Sequence, residues 1–307
     1  MKILYMGTPD FALLPLKKLI EDGHEICGVV TREDKPKGRG MKVLMTPVKE
    51  LALAENIPVF QPTSLKNGEL SPILEELSPE LIVVVAYGKI LPKSVLDFPK
   101  FGCVNLHGSL LPKYRGSAPI QHAVLNGDKV TGVTTMLMNE GLDTGDMLLN
   151  CEVEISDEDT SESMFEKLSA CGADLLLETV NSLSKGEITP VPQDDALATY
   201  APPIKKENAK IDWNQSADNI LNLIRGSFSW PIAFTDSIIG RIKIYSAVKG
   251  TSKGAAGEVI ALHKSGLEVA CGDGSVIIKL FQVESGKRMP PEDYFRGHES
   301  IIGSRFE

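Results

Sequence analysis

Between residues 105 and 143 the chain carries an amide, an imidazole and a carboxylate: Asn105, His107 and Asp143. The first two stand in Asn105-Leu106-His107-Gly108-Ser109-Leu110-Leu111-Pro112. The third stands in Glu140-Gly141-Leu142-Asp143-Thr144-Gly145-Asp146. When a nucleophile attacks a carbonyl, negative charge gathers on oxygen. An amide N–H and an imidazole N–H stabilise that charge, while a carboxylate orients the imidazole or takes a proton. The trio therefore suits acyl transfer. Residues two apart in an extended segment share a side, so Asn105 and His107 can reach one oxygen. Gly108-Ser109 reads as a small-residue bend, and Leu110-Leu111-Pro112 as either an apolar wall for a flat aromatic ligand or core packing. Asp143 has a rival in Asp146, and spacing does not choose between them.

Apolar strands must position these residues. Lys2–Met6, a helix over Pro9–Asp22 and His24–Thr31 make a β-α-β unit, with Gly23 just past the helix end. The pattern resumes with a helix over Pro47–Asn56, a strand at Pro58–Phe60, a helix near Ser71–Leu77 and the strand Leu81-Ile82-Val83-Val84-Val85-Ala86. That last strand is apolar on both faces, as in a parallel sheet. A further strand leads through Cys103-Val104 into Asn105, a helix follows Pro119, and Gly132–Met138 is again strand-like. The expectation is an α/β doubly wound, mostly parallel sheet with the site at carboxyl ends of strands. A helix over about Thr160–Leu183 closes this domain. Short strands at Ile232–Asp236, Arg241–Val248, Gly257–His263, Leu267–Cys271 and Val276–Val283 predict a small OB-like β-barrel. The expected division is a catalytic domain over residues 1–188, an extended linker over 189–205 with prolines at 190, 192, 202 and 203, and the barrel over 206–307.

Composition narrows the function. Hydrophobic residues make up 42% of the 307, enough for one large core and a smaller one. No apolar run reaches the ~18 residues of a membrane helix, and the N-terminus enters a strand directly, so the expected location is cytoplasmic. Five scattered cysteines without a Cys-x-x-Cys pair imply neither a disulfide nor a metal site. The net charge is -9, and from residue 207 onward 12 basic residues balance 12 acidic ones, so the deficit lies in the N-terminal part. Contact with a polyanion must then be local. Met6-Gly7-Thr8-Pro9-Asp10 lacks the three-glycine dinucleotide fingerprint and no P-loop occurs, which argues against a nucleotide cofactor.

The segment from Asn105 to Pro112, followed some thirty residues later by Asp143-Thr144-Gly145-Asp146, resembles the signature of the formyltransferases that use 10-formyltetrahydrofolate. Met6-Gly7-Thr8-Pro9-Asp10-Phe11-Ala12, Lys37-Gly38-Arg39-Gly40, Ala86-Tyr87-Gly88-Lys89-Ile90-Leu91-Pro92 and Ile211-Asp212-Trp213 resemble the branch whose substrate is initiator methionyl-tRNA. The resemblance covers nearly the whole chain. It implies that Asn105 binds the formyl oxygen, that His107 stabilises the oxyanion, and that Asp143 holds the imidazole's charge or relays a proton. It places folate at Ser109, Leu110, Leu111 and Pro112, with Tyr87, Gly88 and Leu91 as pterin-pocket candidates, and it implies no metal, no membrane and no obligate protein partner. The insert from Arg32 to Lys42 has a local charge of +3 and reads as a mobile basic loop. The resemblance sends it into the tRNA acceptor arm, with Arg39 foremost, then Lys37 and Lys42. Phe228-Ser229-Trp230-Pro231-Ile232 stands where that branch more usually has Asn-Pro-Trp-Pro-Gly. The competing expectations are formylation of an amino-sugar nucleotide or of glycinamide ribonucleotide, and RNA binding without catalysis.

Overall fold

The fold was analysed in a computed structural model, which describes residues 1–37 and 42–307. In chain order the elements are β1 (Lys2–Gly7), α1 (Leu13–Glu21), β2 (Glu25–Val30), β3 (Lys35–Lys37), β4 (Lys42–Leu44), α2 (Pro47–Ala54), β5 (Val59–Phe60), α3 (Ser71–Leu77), β6 (Leu81–Val85), α4 (Lys93–Leu96) and β7 (Cys103–His107). There follow α5 (Pro119–Leu125), β8 (Val130–Leu137), β9 (Met147–Glu154), α6 (Ser161–Lys185), α7 (Ala217–Gly226), β10 (Phe234–Ser237), β11 (Gly240–Gly250), β12 (Val259–His263), β13 (Gly266–Cys271), β14 (Gly274–Val283) and α8 (Pro291–Phe295). Two compact units result. The first comprises residues 1–119, 130–154 and 165–201, and the second 120–129, 155–164 and 202–307.

The first unit is built on a sheet of order β5-β2-β1-β6-β7-β8-β9. β5 through β7 run parallel, while β8 and β9 join antiparallel. From β1 the chain moves outward through β2 to β5, then returns to lay β6 on the other side of β1. This reversal is the switch point where such sheets hold ligands. All five residues of β6 are buried, as expected of a parallel strand covered on both faces. One face carries Leu4, Met6, Ile82, Val84 and Cys103 against Leu74 of α3 and Val95 of α4. On the other, a Cβ at Gly172 of α6 would lie 2.8 Å from Leu106 Cδ2, so glycine is what lets helix and strand approach. The Tyr5 hydroxyl donates to Ala12 O on this second face (2.7 Å).

The structure departs from the sequence reading in several places. Met147–Glu154 forms an edge strand whose burial alternates, a one-sided pattern that the sequence reading passed over. The basic insert is not simply a loop: β3 and β4 pair antiparallel. Cys151 and Cys171 are bonded, with Cα atoms 6.9 Å apart, where unpaired thiols were expected. Packing of α6 on the sheet brings together two cysteines 20 residues apart, a juxtaposition that spacing alone does not report. Cys27, Cys103 and Cys271 are free.

The second unit is a five-stranded antiparallel sheet of order β10-β11-β14-β13-β12 around Trp213, Ile242, Phe281 and Phe306. The Trp213 indole donates to Thr235 Oγ1 (2.9 Å), as a buried indole N–H requires. Glu268 on β13 is buried, which pushes its carboxyl up. Hydrogen bonds from Ser275 Oγ (2.6 Å), His263 (2.9 Å) and Ser252 N (3.2 Å) more than offset burial and hold it at about 2. A depressed carboxylate contributes stability above its ordinary value of 4.5, lost as pH falls from there towards about 2. Glu268→Ala should therefore cost about 1–3 kcal/mol at neutral pH by leaving donors unpaired. Urea unfolding should show that gap narrowing near pH 3, and an equal gap at both pH values would contradict this role.

Candidate functional site

β7 is longer than the sequence implied and includes both Asn105 and His107, on one side of the strand two residues apart. Asn105 is half-buried, and its amide has no hydrogen-bond partner among the described residues. His107 is 5% exposed, and its Nε2 lies 2.9 Å from the carbonyl oxygen of Tyr114. A carbonyl only accepts, so Nε2 carries a proton and Nδ1 faces the remaining partner. That partner is Asp143, whose Oδ2 is 3.7 Å from Nδ1. A neutral ring would aim its Nδ1 lone pair at a carboxylate. At 3.7 Å the two atoms face each other, but the separation is too long for a direct hydrogen bond.

The structure separates the two rival carboxylates. Asp143 adopts a left-handed backbone (φ 52°), and its Oδ2 also accepts the Gly116 N–H at 2.8 Å. Asp146 is held only through its backbone, its carbonyl accepting Leu137 N at 2.9 Å, and its carboxylate meets no hydrogen-bond partner among the described residues. The loop between β8 and β9 is braced internally, since Asn139 Oδ1 accepts from Gly141 N (2.9 Å) and Thr144 Oγ1 (2.8 Å). Gly116 is obligatory where it stands: at φ 119°, an added Cβ would lie 2.7 Å from Ala201 O.

The Ser109–Pro112 stretch packs against β8. Ser109 Oγ donates to Lys113 O (2.6 Å), Thr134 Oγ1 donates to Ser109 O (2.7 Å), and Leu111 N donates to Thr134 Oγ1 (3.1 Å). Ser109 and Leu111 are buried, and Leu110 and Pro112 are half-exposed. With those polar groups paired internally, the surface left for a ligand is mainly apolar. Tyr87 and Leu91 are buried in the core on the face that bears Cys103. Burial pushes the Tyr87 hydroxyl up to about 12, against an opposing effect of Arg32, and its oxygen has no hydrogen-bond partner among the described residues. Gly88 is left-handed (φ 74°) and its carbonyl accepts from the Arg32 guanidinium, as does Tyr87 O (3.1 Å). Arg32 is thereby committed to backbone. Lys37 and Lys42 lie on β3 and β4, while Arg39 lies outside the described residues. In the second unit, Lys249 pairs with Asp218 (2.9 Å) and Arg288 stacks over Tyr245 (3.6 Å), so Lys243, Lys249, Lys253, Lys287 and Arg288 do not all present free charge.

Sequence reasoning missed Arg115, Gln193 and Asp195. Arg115 is 2% exposed, donates through Nε (3.0 Å) and Nη2 (2.9 Å) to Gln193 Oε1, and pairs with Asp195 (2.7 Å). Gln193 Nε2 donates to the carbonyls of Asp143 (2.8 Å) and Gly145 (2.7 Å). Gln193 stands between Pro192 and Asp194 in what reads as connector, and no local pattern flags it. Among the described residues no group of three or more His, Cys, Asp or Glu is disposed to hold a metal, and no helix is long and apolar enough to cross a membrane.

A family model described as formyl transferase matches residues 1–180, and one described as formyl transferase, C-terminal domain, matches residues 203–299. The methionyl-tRNA formyltransferase of Acetivibrio thermocellus is 47% identical over 302 residues, 97% of each chain. That of Clostridium novyi is 48% identical over 307 residues, 99% of each. Among solved structures, an N-formyltransferase from Helicobacter canadensis, in complex with folinic acid and dTDP-3-aminofucose, superposes with a TM-score of 0.66 at 19% identity over 91% of this chain and 98% of its own. HypX from Aquifex aeolicus, in complex with tetrahydrofolic acid, gives 0.66 at 18% identity over 100% of this chain and 51% of its own. At such identities these two show the fold alone. With both units matched and the relatives alike over almost their full length, the chain belongs to the formyl transferase family.

Proposed function

We propose that this enzyme transfers the formyl group of 10-formyltetrahydrofolate to the α-amino group of methionine on initiator methionyl-tRNA. The observation that carries the substrate assignment is the 47–48% identity, across both units, to relatives named for that activity. In the transfer the amine nitrogen attacks the formyl carbon, the carbonyl opens to an oxyanion, the bond to the folate N10 breaks, and N10 takes a proton as the amine loses one. Asn105, on β7 with an amide unpaired among the described residues, donates to the formyl oxygen. His107 has committed Nε2 to Tyr114 O and acts through its Nδ1 edge, charged, beside the oxyanion. Asp143 balances that charge and relays the amine's proton. No Ser or Cys nucleophile is required, because the attacking group is the substrate's own amine. Leu110 and Pro112 offer the apolar contact a pterin ring requires, and Tyr87, Gly88 and Leu91 line the pterin pocket. The basic segment that contains Lys37, Arg39 and Lys42 contacts acceptor-arm phosphates.

The reading is tested by offering purified enzyme and 10-formyltetrahydrofolate three acceptors: methionyl-tRNA, uncharged tRNA and an amino-sugar nucleotide. Formylation of methionyl-tRNA is expected. Formylation of the sugar nucleotide alone would replace this reading with that of a sugar formyltransferase. Arg39→Ala should raise the KM for methionyl-tRNA while leaving folate affinity unchanged, and wild-type binding should weaken more steeply with added salt than that of the variant. The opposite pattern would put that hairpin at the folate site.

A further inference from the structure

We infer that Gln193, held by Arg115, is a positioning residue of the formyl-transfer site, acting through Asp143. The inference rests on the formyl-transfer reading and adds to it a residue from outside the signature motifs. The geometry leaves Gln193 no freedom. Its Nε2 donates to two carbonyls of the loop between β8 and β9, those of Asp143 and Gly145, at 2.8 and 2.7 Å. Its Oε1 accepts both Nε and Nη2 of Arg115. The amide orientation is self-consistent, because the reverse would aim N–H groups at a guanidinium and oxygen at two carbonyls.

The two loops joined by this amide are the ones that hold His107 and Asp143. Arg115 sits between Tyr114, whose carbonyl accepts His107 Nε2, and Gly116, whose N–H donates to Asp143 Oδ2. Its backbone is fixed in turn, N donating to Thr199 O (2.8 Å) and O accepting from Ala201 N (2.8 Å). Arg115 is nearly fully buried, so its charge needs compensation, which Asp195 supplies from the surface at 2.7 Å. Asp143 is left-handed, a conformation a non-glycine residue keeps only when its surroundings hold it. The Gln193 amide is what holds its carbonyl. Were that clamp lost, the loop could relax, and the 3.7 Å separation of Asp143 from the imidazole would change. Misplacement by about 1 Å costs on the order of 10²-fold in rate.

The test is a double-mutant cycle with Asp143→Asn, measured by steady-state formylation of methionyl-tRNA in the full-length enzyme. Gln193→Met, of equal length but without polar atoms, should lower kcat by up to about 10²-fold while the KM values for folate and tRNA stay close to wild type. On the Asp143→Asn background it should have almost no further effect, because its route to the chemistry is already gone. Gln193→Glu keeps the Arg115 contact but sets a carboxylate oxygen against the two carbonyls, and should behave like Gln193→Met. Wild-type kcat in both variants, or losses that multiply with that of Asp143→Asn, would overturn the inference. So would loss of a cooperative melting transition in both, which would make Gln193 a residue of stability. An inactive wild-type enzyme would instead refute the formyl-transfer reading.

Discussion

His107→Ala should lower kcat for formyl transfer by roughly 10²–10³-fold, and Asn105→Ala should do the same. Each loses on the order of 2.7–4 kcal/mol of transition-state stabilisation. The expectation follows from burial and pairing. His107 is 5% exposed, its Nε2 is hydrogen-bonded to Tyr114 O and its Nδ1 faces Asp143, so the ring is presented in a fixed place with little water to screen it. Asn105 has an amide that no described residue occupies, as a group reserved for a ligand should. In the proposed reaction both act on charge that develops during attack, so the losses should fall on kcat rather than on KM. Near-wild-type turnover in either variant would return that residue to a structural role.

Asp143→Asn should lower kcat by about 10²-fold or more, while Asp146→Asn should leave it within about twofold. Asparagine at 143 can still accept the Gly116 N–H, so the loop is retained and only the charge beside His107 and the capacity to take a proton are lost. Asp146 contributes a backbone carbonyl to Leu137 N, which asparagine preserves. Measuring kcat for the two variants side by side decides the assignment, and a larger loss at 146 would reverse it.

The trio was legible in the sequence because strand alternation puts Asn105 and His107 on one side, and because the apolar run at 81–85 marks a buried parallel strand. The doubly wound, mostly parallel sheet followed from the same periodicities, while its strand order and the switch point between β1 and β6 came only from the structure. What stayed hidden depends on contacts distant in sequence. Asp143 differs from Asp146 through its left-handed backbone, an N–H from Gly116, which lies 27 residues away, and the facing ring of His107. Gln193 reaches its carbonyls across 50 and 48 residues from a proline-rich stretch that reads as connector. Residues 189–201 are in fact part of the first unit, with Tyr200 bridged to Arg115 and Val191 to Met147. Arg32 counted as basic charge in the sequence, yet its guanidinium is consumed by the carbonyls of Tyr87 and Gly88. The charge of a segment is visible in sequence, while the commitment of each charge is not.

The proposed reaction is a direct transfer of the formyl carbon from folate to the amine of methionine on tRNA at Asn105, His107 and Asp143. Carbon-13 placed in the formyl group of 10-formyltetrahydrofolate tests it most directly, by following the label after mixing with enzyme and methionyl-tRNA. The label should appear as an N-formyl amide on methionine, in a one-to-one ratio with tetrahydrofolate formed. Release of the label as free formate, with the methionine amine unmodified, would contradict it.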